Sequence, residues 1–418
     1  LATRILLVGT ARSGRGRREK SESIDELAAL TRTSGGDVVE RVIQVRPRSD
    51  PATYIGLGKV TELARLCREH GISLLIFDEP LTPTQLRNLE IRTGVRVIDR
   101  TALILDIFAL HARTAEARVQ VELAQLEYIR TRLAGMGVQL SRLGGGIGTR
   151  GPGETKLESD RRRIERRIKV LRDALERIDR ERTTQRRLRA CAFRVALVGY
   201  TNAGKTTLFN ALTAAAARVS DRLFSTLDAR TRAAELDRRT RVLVTDTVGF
   251  IRSLPHQLVA SFRSTLSEIR EADLVLHVAD ASDENVSTRM DAVTQTLEEI
   301  GAGDVPVQVV FTKIDRVADS DILARLSRSC RGALFVSGLT GAGLDGLRQE
   351  LVRRVRRRMV VQTFTIPAGR GDLLGIVYSA GEVVRDREMN GRRRLQVRGH
   401  PESLERARKQ IADASTRR

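Results

Sequence analysis

Residues 199 to 206 hold the most recognisable chemistry in the chain: Gly199, then Tyr200, Thr201, Asn202 and Ala203, then Gly204, Lys205 and Thr206. An apolar run, "RVALVG", precedes them, and "TLFNAL", beginning at Thr207, follows in helical rhythm. Glycines at this spacing let the backbone curl so that successive amides point at one anion. The helix that follows adds the positive end of its dipole. In such a loop Lys205 reaches the β- and γ-phosphates and Thr206 ligates magnesium. The segment therefore predicts the binding and hydrolysis of a magnesium–nucleoside triphosphate.

Three downstream motifs narrow the base. "RVLVTDTVGF" ends an apolar strand with Asp246, Thr247, Val248 and Gly249. Asp246 can hold magnesium through water, and the Gly249 amide can sense the γ-phosphate. "VPVQVVFTKID" ends another strand with Thr312, Lys313, Ile314 and Asp315. A carboxylate at 315 can accept from guanine N1–H and the 2-amino group, a pair that adenine does not offer. Lys313 would lay its stem over the base. Ser337, Gly338 and Leu339 in "ALFVSGLTGAGLDGL" supply a loop for the guanine carbonyl. Each tripeptide is weak evidence alone, but four in this order, each at a strand end, point to GTP.

"DRLFSTLDARTR" stands where a segment should close on magnesium and the γ-phosphate. Its Phe224, Ser225, Thr226, Leu227 and Asp228 are expected to line the nucleotide. Thr226 is the expected closing ligand, with Thr231 also permitted. The expected catalytic set is Lys205, Thr226 and Gly249. Phe250 follows Gly249, and an apolar side chain cannot orient the attacking water. Intrinsic hydrolysis should be slow, with the missing element supplied by the switch segments or a docked partner.

A second glycine-rich stretch, "SRLGGGIGTRGPGETK" at 141–156, needs a different partner. It carries Arg142, Gly145, Gly146, Arg150, Gly151 and Lys156. The chain has 73 Lys and Arg against 52 Asp and Glu, a net charge of +21, which points to a polyanion. Four Tyr, ten Phe and no Trp are too few for a platform that stacks base after base. Structured RNA gripped by phosphate and shape is the better match. Residues 161–189, beginning Arg161, Arg162 and Arg163, hold thirteen Lys and Arg against five acids. A solvated helix laced with i,i+4 pairs is the bland reading; the imbalance favours an RNA-facing arm.

These residues need a scaffold, and periodicity predicts one. From residue 4 to about 98, strand-like runs ("ILLVG", "VVERVIQV", "ISLLIFD", "VRVID") alternate with helix-like ones ("SIDELAALTR", "KVTELARLCREHG", "TPTQLRNLEIRTG"). That alternation predicts an N-terminal α/β subdomain over 1–100 with a mostly parallel sheet. Its "GTARSGRG" lacks a Gly-Lys-Ser/Thr ending and reads as a loop. Ala112, Ala115, Val119, Leu123, Leu126, Ile129 and Leu133 then make an apolar stripe on one long helix. Ile164, Ile168, Leu171, Leu175 and Ile178 repeat a coiled-coil spacing. Together they predict an antiparallel helical hairpin over 101–190 with the glycine-rich stretch at its tip. A P-loop domain over 191–358, a mostly parallel mixed sheet with helices on both faces, and a small αβ domain over 359–418 complete the chain. Three scattered cysteines argue against a disulfide framework or a zinc site and suit a reducing cytosol. His277, in "LVLHVAD", reads as a packed core residue. No run is long and apolar enough to span a bilayer, and with Leu1 in place of Met the targeting signals are not legible.

"GGIGTRGPGETKLESDRRRI" closely resembles the signature of the HflX family of ribosome-associated GTPases. "ATYIGLGKVTEL", "GYTNAGKTTLFNALT", "LFSTLDARTR", "DTVGFI", "HVADAS" and "VSGLTGAGLDGL" resemble its other blocks, so the likeness covers nearly the whole chain. It implies a cytoplasmic GTPase that binds GTP or GDP with Mg2+ and engages the large ribosomal subunit as a monomer. The helical finger would wedge toward ribosomal RNA near the peptidyl transferase region, splitting stalled or idle ribosomes under stress, with no stable membrane insertion. Two positions depart from the pattern: Thr312 stands where the family has Asn, and Gly338 where it has Ala. Some relatives bind ATP through the N-terminal region, but no second Gly-Lys-Ser/Thr loop is present here. The competing functions are an ATP-dependent RNA-remodelling factor acting on ribosomal RNA and a membrane-peripheral regulator.

Overall fold

The computed structural model describes residues 3–14, 16–143, 152–187, 192–215, 223–224, 229–238, 240–252 and 263–416. The N-terminal sheet contains β1 (Arg4–Ala11), β2 (Asp37–Val45), β3 (Leu74–Phe77) and β4 (Arg96–Asp99), all parallel in the order β2-β1-β3-β4. Helices α1 (Gly16–Thr33), α2 (Leu57–His70) and α3 (Pro83–Thr93) connect these strands. Local signals set the limits of α3. Thr82 and Gln85 form a reciprocal capping box, Pro83 opens the first turn and Gly94 closes the last in the left-handed region, the expected start and stop chemistry.

The hairpin begins later than its apolar stripe suggests. Residues Arg100–His111 form a separate helix, α4, whose Leu103, Ile104, Ile107 and Phe108 are buried in the N-terminal core. Ala112 caps that helix and stands outside α5 (Ala115–Leu143). Helix α6 (Pro152–Arg187) packs on α5 through Leu123, Ile168 and Leu171, flanked by Val119, Leu126, Ile164 and Leu175. The eight residues joining the helices reach at most about 30 Å. That is too short to run back along a 29-residue helix, so the two are antiparallel. Asp99 pins the hairpin base: it accepts from Tyr128 Oη and Arg132 Nη2 of α5, both at 2.7 Å, while also capping α4 through the Ala102 amide.

In the next unit β5 (Phe193–Gly199), β6 (Arg230–Glu235), β7 (Arg241–Asp246), β8 (Leu274–Asp280), β9 (Val307–Thr312) and β10 (Leu334–Phe335) form a sheet in the order β10-β9-β8-β5-β7-β6. Only β6 runs antiparallel to its neighbour. Helices α7 (Lys205–Thr213), α8 (Arg263–Arg270), α9 (Val286–Glu299), α10 (Ser320–Ser329) and α11 (Leu344–Arg358) accompany it. The last unit holds β11 (Val360–Pro367), α12 (Gly371–Ala380), β12 (Glu382–Met389), β13 (Arg392–Gly399) and α13 (Pro401–Thr416). Its three strands are antiparallel in the order β11-β13-β12. Among the described residues no helix is long and apolar enough to cross a membrane.

Candidate nucleotide site

The central strand β5 is buried along nearly its whole length and delivers Gly199 to the edge of the sheet, where residues 199–204 turn into α7. Lys205 is buried, and its Nζ donates to the carbonyls of Gly199 at 3.0 Å and Tyr200 at 2.8 Å. The loop is therefore closed over a cation. Burial pushes that ammonium down to about 8, with nearby Asp246 opposing the shift and Lys313 adding to it. Next to it, Thr206 Oγ1 donates to Asp246 Oδ2 at 2.8 Å. This pair of hard oxygen donors suits magnesium. Gly249 leaves no room for a side chain: a Cβ there would meet Thr201 Cα at 3.0 Å and Lys205 Nζ at 3.1 Å. Its backbone consequently lies directly against the phosphate loop.

The base-recognition elements converge on the same loop. Thr312, at the end of β9, places Oγ1 2.6 Å from the carbonyl of Ala203 and 3.1 Å from that of Ala279. A single hydroxyl proton can satisfy one of these at a time, yet the bracing role of the longer Asn is retained. Lys313 has φ +56 and pairs with Asp280 at 2.8 Å, which fixes its stem beside Gly204. Asp315 lies in a short 3-10 turn, Ile314–Arg316, and accepts from Ser337 Oγ at 2.5 Å. Ser337 is itself fully buried. Gly338 relieves a tight contact, since a Cβ there would approach Thr207 Cγ2 to 3.1 Å and the Leu208 amide to 3.3 Å. Leu339 is largely exposed at the rim.

Other predicted positions take different places. Ser225, Thr226 (the expected closing ligand), Leu227 and Asp228 lie outside the described residues. The permitted alternative, Thr231, sits on β6 with its hydroxyl 2.9 Å from that of Thr245, a sheet contact and not a ligand position. Thr247 donates to the Leu197 carbonyl at 2.6 Å and Val248 joins the core. Phe250 is buried in that core too, with its backbone bridged to Tyr200. His277 is buried in β8, and burial pushes its imidazole down to about 4. Gly145, Gly146, Arg150 and Gly151 lie outside the described residues, and the side chains of Arg142 and Lys156 do as well. Arg161 and Arg162 are exposed but pair with Glu165 and Glu158. Arg163 is exposed and, among the described residues, has no ion-pair partner. The bland i,i+4 pattern thus holds for two of the three arginines.

One feature leaves no trace in the motifs. Tyr200 reaches out of the phosphate loop to bond Glu26 of α1, and Glu26 also bonds Arg100, which pairs with Asp78. The Tyr200 hydroxyl accepts from the Arg252 amide at 2.8 Å, and the Arg252 side chain pairs with Glu19 of α1. Phe224 meets Phe108 of α4 edge-on at 4.6 Å. One hydrophobic cluster consequently runs from the N-terminal core into the nucleotide domain. The one hint in the sequence is the residue type: a tyrosine in a buried loop needs a hydroxyl partner.

Known proteins resemble this chain along most of its length. Residues 21–109 match the family described as GTP-binding GTPase N-terminal, 111–189 its middle region, and 194–313 the 50S ribosome-binding GTPase family. A GTPase HflX of Caldanaerobacter subterraneus is 43% identical over 88% of this chain and 85% of its own. That of Escherichia coli is 42% identical over 90% of this chain and 89% of its own. A GTP-binding protein of Sulfolobus solfataricus in complex with GDP is 26% identical, covering 84% of this chain and 98% of its own, with a TM-score of 0.43. With relatives at this identity along most of its length, the chain belongs to the HflX family of GTPases.

Proposed function

We propose that this GTPase engages the large ribosomal subunit and uses its hairpin to separate ribosomal subunits, under control of the bound nucleotide. The observation that carries this reading is the contact of the hairpin-bearing domain with the nucleotide loops, through Glu26–Tyr200, Glu19–Arg252 and Phe108–Phe224. Any rearrangement around the γ-phosphate that moves residue 224 or 252 must then strain or release the base of the hairpin. Two sites coupled through an element with two arrangements are what nucleotide control requires.

In this reading Asp315 reads guanine, the Lys313 stem flanks the base and Lys205 neutralises the phosphates. Thr206 and, through water, Asp246 would hold Mg2+, with Thr226 as the closing ligand; a bound Mg2+ would supply positive charge against that of the transferred phosphoryl group. The Phe250 side chain is buried in the core, so no water-orienting side chain stands at that position. The large subunit is the natural source of the missing element, and subunit docking would accelerate hydrolysis. Arg142, Arg150, Lys156 and Arg161–Arg163 present the hairpin to ribosomal RNA.

The deciding experiment sediments intact ribosomes with the protein and GTP, a non-hydrolysable GTP analogue, GDP or ATP. Separated subunits with the triphosphate guanosine forms, and intact ribosomes with GDP, are the expected result. Splitting supported by ATP as well as by GTP would replace this reading with an RNA-remodelling ATPase.

A further inference from the structure

A second strongly basic surface lies far along the chain from the hairpin. Helix α11 buries Leu344, Leu347, Leu351 and Val355 in the GTPase core. The same helix carries Arg348 at the margin of that stripe and Arg353, Arg356 and Arg357 away from it, and these line a groove of about 850 Å3 together with Asp237 and Arg398. Arg398 belongs to the C-terminal sheet, so the groove opens onto that sheet. There the alternation of β13 sends Leu395 and Val397 into the small core and leaves Arg394 and Arg398 on the other side. The register sets Arg387 beside Arg394, and Arg385 beside Gln396. On the far side Thr363 and Thr365 of β11 stand opposite Gln396 and Arg394.

Acids offset only part of this charge. Arg348 pairs with Asp345 at 3.4 Å, and Arg353 with Glu350. Arg356 and Arg398 stand 3.8 Å from Asp237 and Glu382. Among the described residues Arg357, Arg385, Arg387 and Arg394 have no acidic partner. All four are exposed.

We propose that the α11 groove and the outer face of the C-terminal sheet form one phosphate-binding surface for a structured RNA segment, distinct from the hairpin. Guanidinium groups present planar forks that match phosphate oxygens two at a time. Its middle carries Arg, Gln and Thr, with Val361 and Met389 exposed toward its ends, and it holds no aromatic ring, so it grips a backbone and stacks no bases. A protein partner would instead call for an apolar or aromatic centre within a polar rim, and the centre here is Gln396 flanked by arginines. The inference stands apart from ribosome splitting, because it requires only that the ligand be RNA.

The test uses the full chain, a fluorescent RNA hairpin and anisotropy titrations over a range of salt concentrations. Replacing Arg357, Arg385, Arg387 and Arg394 with Gln should lower the slope of log affinity against log salt by about 3, at roughly 0.7 to 0.9 for each phosphate left without its arginine. Affinity at physiological salt should fall at least about tenfold, with GTP affinity and melting temperature unchanged. Arg357→Gln alone should lower the slope by about 1. A variant with Arg161, Arg162 and Arg163 changed to Gln should weaken binding by a further, multiplicative factor when combined with the first. An unchanged slope in the quadruple variant overturns the proposal. So does tighter binding of fluorescent polyglutamate than of RNA with the same four-arginine dependence, which would assign the face to an acidic protein.

Discussion

The nucleotide pocket and the helical hairpin are held by opposite means. In the pocket the functional side chains are fixed by buried or half-buried bonds: Thr312 to Ala203, Ser337 to Asp315, Thr206 to Asp246, Lys205 to two carbonyls of its own loop. Among the described residues the hairpin seam buries Leu123, Ile168 and Leu171 and is otherwise stitched by surface ion pairs such as Arg167–Glu122 at 2.6 Å. Exposed pairs of this kind are screened by solvent and contribute little. One region is built so that chemistry happens in one geometry. The other is anchored by Asp99 and held over its described residues mainly by exposed pairs.

Asp315→Asn should break the pocket most severely while leaving the hairpin untouched. The variant loses a charged acceptor for two guanine donors, each contributing about 1.5 to 3 kcal/mol. GTP affinity should therefore fall by about 10² to 10⁴. Xanthosine triphosphate, whose 2-oxo group accepts from the new amide, should bind in its place. Binding titrations with both nucleotides check this, and a variant that still prefers GTP would remove Asp315 as the base reader.

Leu171→Ala probes the other side of the comparison. Truncating a buried leucine costs about 2 to 5 kcal/mol where the site cannot collapse. In a seam this narrow the loss should appear as local opening. Amide exchange along α5 and α6 should quicken while protection in β5 and α7 is unchanged. Equal acceleration in both regions would show that the hairpin and pocket fold as one cooperative unit.

The same contrast explains what is legible in the sequence. Motif spacing at strand ends locates Lys205, Asp246, Asp315 and Ser337, because phosphate and base chemistry demand those residue types at those turns. Strand–helix alternation locates the N-terminal sheet. Where no local rule operates, the pattern falls short of the fold. Helix α1 begins at Gly16 and not near Ser23, because its first turns are arginine-rich and solvated and show no apolar period. Ala112 fits the hairpin stripe by spacing, yet it ends a helix that the N-terminal core claims. Thr312 is shorter than the Asn it replaces, and only the approach of Ala203 shows that it still braces the loop. The bond between Glu26 and Tyr200 joins residues 174 positions apart, and separation on that scale leaves no pattern to read.

Tyr200→Phe tests whether the two regions communicate through that bond. The substitution removes one hydroxyl that bonds Glu26 and accepts from the Arg252 amide. A net loss of about 1 to 2 kcal/mol in stability is expected. A double-mutant cycle with Glu26→Gln should show that the two losses are not additive. If the interface also carries nucleotide control, the variant should bind GTP and ribosomes normally and lose the difference between GTP and GDP in splitting. Additive losses would dissolve the proposed link.

The smallest effect concerns Lys205, whose ammonium burial pushes down to about 8. Because the folded protein holds this proton less tightly than the unfolded chain, the nucleotide-free protein binds fewer protons than the unfolded state between about pH 8 and 10.5. Its stability should therefore gain from this group as pH rises through that window. Bound phosphates supply the opposite charge, which raises the ammonium again, so the complex holds the proton that the free protein has released. Nucleotide binding should consequently take up about half a proton at pH 8 and almost none at pH 6. Affinity should weaken by at most about tenfold per pH unit above 8. Calorimetry in two buffers of different ionisation enthalpy measures the uptake directly. Lys205→Met should abolish the component that is absent at pH 6, and it should leave any uptake due to the guanine ring or the phosphates themselves. If the wild type shows no more uptake at pH 8 than this variant, the lysine is fully charged in the free loop and the closed, carbonyl-bound arrangement does not depress it.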